Sequence, residues 1–144
     1  RIKNVLGKTN KAALILRGKP SEKITSADQG SMLVLSHLNS HQLQSAIAES
    51  SLVLCRSGYS GIMDMIALKK DAVLVPTPGQ PEQEYLASYL SNRKIFYSIS
   101  ESELSEEALN QKRSDFSVSR FPESAGKLNE TVTRCRKNLI RVDD

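Results

Sequence analysis

Residues 51–87 read SLVLCRSGYSGIMDMIALKKDAVLVPTPGQPEQEYLA, and this stretch decides the fold. Leu52–Cys55 is a short apolar run. A turn of small residues, Ser57-Gly58-Tyr59-Ser60-Gly61, leads into a helical segment over 60–69, with Ile62, Met65 and Ile66 on its inward face. A second apolar run, Ala72–Val75, stops at Pro76. The stiff loop Pro76-Thr77-Pro78-Gly79-Gln80-Pro81 then delivers Glu82, Gln83 and Glu84 to the start of another helix. Apolar runs without alternation, separated by helices, are the pattern of strands covered on both faces of a parallel sheet. Both turns then open at the carboxyl ends of strands, the edge where open α/β sheets bind ligands.

The same pattern extends outward. Ala12–Leu16 and Met32–Leu35 read as strands, with the polar residues 19–30 between them as a loop. Leu43, Ala46 and Ile47 mark a helix face over 41–49. Residues 82–92 form a helix with Tyr85, Leu86, Tyr89 and Leu90 on one face, and Lys94–Ser98 is a fifth strand. Ser105 caps a helix that has Glu106 and Glu107 in its first turn and Lys112 and Arg113 in its last. A final helix runs over 122–139 with the stripe Ala125, Leu128, Val132, Cys135 and Leu139, and residues 1–11 read as the end of a helix. Right-handed crossovers then give an α/β fold, a doubly wound and mostly parallel sheet with at least four parallel strands.

A chain of 144 residues is expected to be one domain with a real core. Its 39% hydrophobic and 25% charged residues are ordinary for a globular protein. The net charge of +4 is unevenly placed: residues 1–23 hold seven Lys or Arg against Glu22, and residues 101–107 hold four Glu. A basic end can be a solvated face, a membrane or partner contact, or a nucleic-acid contact. No aromatic residue is interleaved with it and no nucleic-acid motif follows, so nucleic acid is not expected as a partner. Cys55 and Cys135 read as small core residues in a reducing compartment. No apolar stretch is long enough to span a bilayer. The expected location is cytoplasmic, with peripheral contact at the inner membrane face as an option. The first residue is Arg rather than Met, and the chain is expected to be a piece of something longer.

Several residues carry candidate chemistry. The turn 57–61 lets the backbone approach a ligand, and the dipole and free N–H groups of a helix start favour an anion such as phosphate. An ordinary strand-to-helix turn uses the same residue types. Asp64, one turn on, either faces solvent or accepts hydrogen bonds from ribose hydroxyls. Glu82 and Glu84 suit a helix start on electrostatic grounds alone. The Gln83 amide offers a donor and an acceptor to sugar hydroxyls. His37 and His41 have no Cys or acid at ligand spacing, so no metal site is expected.

Taken together, Cys55-Arg56-Ser57-Gly58, the acid six residues after Gly58, Val75-Pro76 and the loop reaching Glu82-Gln83 resemble the C-terminal half of GT-B glycosyltransferases. By motif the resemblance is nearest to the peptidoglycan N-acetylglucosaminyltransferase family and more distant to UDP-glucuronosyltransferases, and it covers roughly residues 32–98. It implies a donor-nucleotide domain that binds a UDP-sugar, while a separate N-terminal half, absent here, holds a lipid or polysaccharide acceptor. Ser57, Gly58 and the Tyr59-Ser60-Gly61 backbone would face the diphosphate, and Asp64 would bind the ribose. Leu38, Asn39 and Ser40 would border the uracil, largely through backbone groups. Glu82 and Gln83 would contact the donor sugar, with Glu84 beside them.

The resemblance implies no cofactor and no metal; it leaves the catalytic residues unknown, and any base that the acceptor half supplies is absent with it. The intact protein would be the enzyme, and the chain alone would not turn over. Three departures stand out: the ribose acid is usually Glu, Gly79 stands where some members have a polar group, and the family's opening strand with its Gly-rich loop is missing. A gap, or a strand from elsewhere, is therefore expected between the 12–16 and 52–55 strands. The alternatives from other classes are a non-catalytic nucleotide-binding or docking subunit and a sugar-nucleotide epimerase.

Overall fold

A computed structural model describes residues 12–19, 26–29, 32–110 and 113–122. The helix end expected over 1–11 and the helix expected over 122–139 lie outside the described residues, apart from Pro122. The elements are β1 (Ala13–Leu16), β2 (Ser26–Gln29), β3 (Met32–Leu35), α1 (Ser40–Glu49), β4 (Val53–Cys55) and α2 (Tyr59–Ala67). They continue as β5 (Ala72–Leu74), α3 (Pro81–Asn92), β6 (Tyr97–Ser98) and α4 (Glu106–Asn110). Two short 3₁₀ turns follow, Arg113–Asp115 and Val118–Arg120.

The strands form two small sheets, ordered β1-β3-β2 and β4-β5-β6. β1 runs parallel to β3, with Ala13 opposite Met32 and Leu16 opposite Leu35. β4, β5 and β6 are all parallel. The fold is α/β with parallel strands, as in a Rossmann-like half-domain. Among the described residues, β1 and β4 each end their sheet, and no strand pairs with their outer edges.

Two sequence expectations need correcting here. β2 lies within the stretch read as loop and pairs antiparallel with β3. Its sequence, Ser-Ala-Asp-Gln, has no apolar run, because a ladder of backbone bonds needs no side-chain pattern of its own. The strand expected over 94–98 shortens to Tyr97–Ser98. Lys94 takes a left-handed φ of 58° and Ile95 N–H closes back onto Leu90 C=O at 3.0 Å, so the end of α3 consumes the strand's first residues.

The second sheet is buried on both faces. Along β5 and into Val75, alternate side chains point to opposite sides. Ala72 and Leu74 join Ile62, Met65 and Ile66 of α2, Ile47 of α1 and Leu90 of α3. Val73 and Val75 join Ile99, Leu104 and Leu109 on the other side. α4 starts where Ser105 predicts, its Oγ accepting from Ala108 N–H at 3.1 Å. On α3 the buried residues are Ala87 and Leu90, and Leu86 is half-buried. Tyr85 and Tyr89 do not share that face: they are exposed, stacked on each other at 5.8 Å, with the Arg93 guanidinium 3.7 Å over Tyr89. Aromatic rings at helical spacing read as core, but the smaller Ala87 and the aliphatic Leu90 fill the space against the sheet.

Polar ties fix the rest. Lys70 Nζ donates to Ala48 C=O at 3.0 Å and to Ser50 C=O, holding the end of α1 against the α2–β5 turn. Val118 N–H donates to Asp71 Oδ1 at 2.7 Å, and Ser117 N–H to Lys94 C=O at 3.0 Å. The segment after α4 is thus held at the residues preceding β5 and β6.

Leu74, which is fully buried, sets the first expected outcome. Leu74→Ala should cost about 2–5 kcal/mol in chemical denaturation, because the sheet on both sides prevents the cavity from collapsing. The second concerns Cys55, half-buried against the same core. Burial pushes its thiol from an ordinary 9.0 up to about 11. The unfolded thiol therefore ionises first, so the stability Cys55 contributes is present below pH 9 and is lost as pH rises toward 11. Denaturation curves of the parent and of Cys55→Ala should differ most near neutrality and converge in alkali; Cys135 is common to both and cancels.

Candidate functional site

The site is built on the two loops that leave β4 and β5. After Cys55 the chain makes a tight turn and Gly58 becomes the N-cap of α2, with φ −75° and ψ 146°. No side chain caps this helix and no acid lies in its first turn. Its first intrahelical bond runs from Ile62 N–H to Gly58 C=O at 3.1 Å. The N–H groups of Tyr59, Ser60 and Gly61 therefore precede the helical ladder at the positive end of the helix dipole. A Cβ at Gly58 would meet nothing within 4 Å, and one at Gly61 only the Arg56 carbonyl at 3.7 Å. The chain's own packing thus has no need of glycine at 58, and the space in front of the turn is open.

The start of α3 is different. Pro81 takes the first helical position and Glu82 and Glu84 lie in the first turn. Glu84 Oε1 accepts from Gly79 N–H at 2.9 Å, and Gln83 Oε1 accepts from Thr77 N–H at 3.0 Å. Gln83 Nε2 donates to Gln80 Oε1. Gly79 supplies the left-handed φ of 78° that folds this loop back on its helix. Here the chain's own side chains satisfy the N–H groups of the loop before the helix, whereas no side chain caps α2.

Two latches join the loops. Ser57 is fully buried, and its Oγ donates to Gln83 C=O at 2.8 Å. The structure thereby brings the 57–61 turn and the Glu82–Gln83 helix start together, while turning the Ser57 hydroxyl into the protein and leaving only its backbone for a ligand. The second latch is Arg56. Its Nη1 donates to Val75 C=O and Pro76 C=O, both at 3.3 Å, and its Nη2 pairs with Glu101 at 2.9 Å. Sequence reasoning used Arg56 only as part of a motif and missed this role. Its position directly after an apolar strand was a signal; Glu101, 45 residues on, gave none.

Asp64 lies on α2, half-buried, four residues after Ser60 and three after Gly61, and so shares their side of the helix. Glu82 is exposed at the start of α3. Asn39 and Ser40 lie at the start of α1, on the segment that follows β3. Asn39 forms a capping box with Gln42: Oδ1 accepts from Gln42 N–H at 2.9 Å, and Asn39 N–H donates to Gln42 Oε1 at 3.2 Å. No hydrogen bond joins either residue to the 57–61 turn among the described residues. His37 Nδ1 lies 3.2 Å from Ser36 Oγ. Among the described residues, no three His, Cys, Asp or Glu side chains converge as metal ligands, and no helix is long and apolar enough to cross a membrane.

The comparisons agree with this geometry at the level of family. Residues 6–120 match the model of the glycosyltransferase family 28 C-terminal domain, which is well over half of the chain. No curated protein and no solved structure matches. The chain therefore belongs to glycosyltransferase family 28, as the C-terminal, nucleotide-sugar-binding domain of a GT-B glycosyltransferase.

Proposed function

We propose that the nucleotide is UDP, with its diphosphate held at the N-terminus of α2, its ribose on Asp64 and the donor sugar against the start of α3. The observation that carries this reading is Gly58. Glycine is accepted at an N-cap but lacks the capping oxygen of Ser, Thr, Asp or Asn, so with open space beside it this residue leaves the first N–H groups of α2 to a ligand. Gln83 uses its oxygen and one amide hydrogen on the loop, which leaves its second N–H for a sugar hydroxyl. In the intact protein the sugar, a hexose or N-acetylhexosamine, passes to a lipid or polysaccharide acceptor held by the N-terminal half, as in the peptidoglycan N-acetylglucosaminyltransferases that the motif resembles. Backbone N–H groups and the helix dipole stabilise the departing diphosphate, and the two halves align the reactants. Contact with a membrane surface would rest on the basic residues 1–23, most of which lie outside the described residues.

Calorimetric titration of the chain with UDP tests this. Gly58→Ala should change thermal stability only slightly, because the lost N-cap preference and the reduced entropy of the unfolded chain oppose each other, while UDP affinity falls roughly tenfold, about 1.4 kcal/mol. Asp64→Ala removes hydrogen bonds to a charged acceptor worth about 1.5–3 kcal/mol, a ten- to hundredfold loss. Gln83→Ala should weaken a UDP-sugar more than UDP. Full UDP affinity in both Gly58→Ala and Asp64→Ala would sink the assignment.

A further inference from the structure

A groove of about 520 Å³ opens on the far flank of α3, between that helix and the chain leaving β6. It shares with the candidate site only Pro76 and Glu84, and none of residues 57–61 lines it. Its volume is in the range of small-molecule sites, roughly 300–1,000 Å³. We propose that this groove binds the ring of a neutral sugar, as a site separate from the one that holds the nucleotide.

Three features select that ligand class. Ser88, Ser91, Asn92 and Ser98 line the groove, and among the described residues their side chains make no hydrogen bond. Three hydroxyls and an amide with open donors and acceptors match a ligand carrying hydroxyls in several directions. Next, Glu84 and Glu103 also line the groove and no Lys or Arg does. Two carboxylates without a cation repel a phosphate or nucleotide, so the groove is not a second copy of the diphosphate site. Third, Pro76 and Ile99 provide an apolar wall, against which the C–H face of a sugar ring loses unfavourable contact with water. Of the remaining polar groups, Ser100 Oγ bonds Glu103 and Ser102 and Glu84 bonds Gly79 N–H, while the Tyr97 ring packs edge-on against Phe116. The acids therefore shape the groove, and the four open side chains grip the ligand.

The proposal does not depend on the UDP assignment, and one experiment separates them. Amide shifts of the ¹⁵N-labelled chain are followed during titration with N-acetylglucosamine, with glucose and, separately, with UDP. The groove predicts saturable shifts at Ser88, Ser91, Ser98 and Ser100 with at least one sugar, with a Kd on the order of millimolar, and none of these shifts with UDP. Ser91→Trp, which fills the groove, should abolish the sugar shifts while UDP still perturbs 57–61. Ser88→Trp, at an exposed position, serves the same purpose if Ser91→Trp does not fold. Sugar shifts that are absent, that fall at 57–61 and 82–84 instead, or that survive the filled groove would overturn the proposal. Loss of the UDP response alone would count against the UDP reading and leave the groove standing.

Discussion

Everything that positions the site depends on the double burial of β5. Val73, Leu74 and Val75 are almost wholly inaccessible, each held from both faces of the sheet. A strand in that position cannot slide by one residue, because a shift would send every side chain to the wrong cluster. Its end at Pro76 is therefore a fixed point, and so is the neighbouring end of β4 at Cys55, since Val75 N–H donates to Cys55 C=O at 2.9 Å. The loops that carry the candidate site leave from these two points, and their flexibility begins only where the apolar core stops.

From there the two helix starts diverge in a way their sequences partly announce. Pro81, Glu82 and Glu84 satisfy α3 from within. Ser57-Gly58-Tyr59-Ser60-Gly61 holds two serines that look like caps, yet neither caps α2. Ser57 is drawn inward by the Gln83 carbonyl, a buried hydrogen bond whose loss would leave a polar group without a partner at about 1–3 kcal/mol. The hydroxyl that the local sequence offers to its own helix is spent on joining two loops, and the helix start stays open.

The sequence made the parallel strands and the inward residues of α2 legible, because periodicity and burial report on the same physics. It also located α1 through the apolar face of Leu43, Ala46 and Ile47, and α3 and α4 through start signals, Pro81 with its acids and Ser105 with its acids; the capping box of Asn39 and Gln42 came only with the structure. It did not show β2, whose pairing is a backbone property. It placed Tyr85 and Tyr89 with the leucines because spacing alone cannot tell a large ring that fits from one that does not. The latches were invisible for a different reason. Ser57 to Gln83 and Arg56 to Glu101 join residues far apart in the chain, and nothing local to either partner encodes the other. The grouping of the 57–61 turn with the Glu82–Gln83 start came from the resemblance and from the general edge rule for α/β sheets. Asn39 and Ser40 came from the resemblance alone, and the contacts that Asn39 makes are those of a helix cap.

Arg56 bears on how the diphosphate would be held. It is the cation nearest in sequence to the 57–61 turn, and a guanidinium there would ordinarily be read as a phosphate ligand. Its donors are already directed at two carbonyls and a carboxylate. The pair with Glu101 is partly exposed and contributes little by itself. The carbonyl bonds matter more, because they pin the ends of β4 and β5 together just before the turn. Freeing Arg56 to reach a phosphate would loosen the scaffold that presents the helix start. With the diphosphate at this helix start, as proposed, the charge that develops on it would fall to groups that need not move to meet it, the backbone N–H groups of Tyr59, Ser60 and Gly61. Such fixed dipoles stabilise a transition state without reorganisation at the moment of reaction, which is why a turn with no free cation of its own can still serve this chemistry.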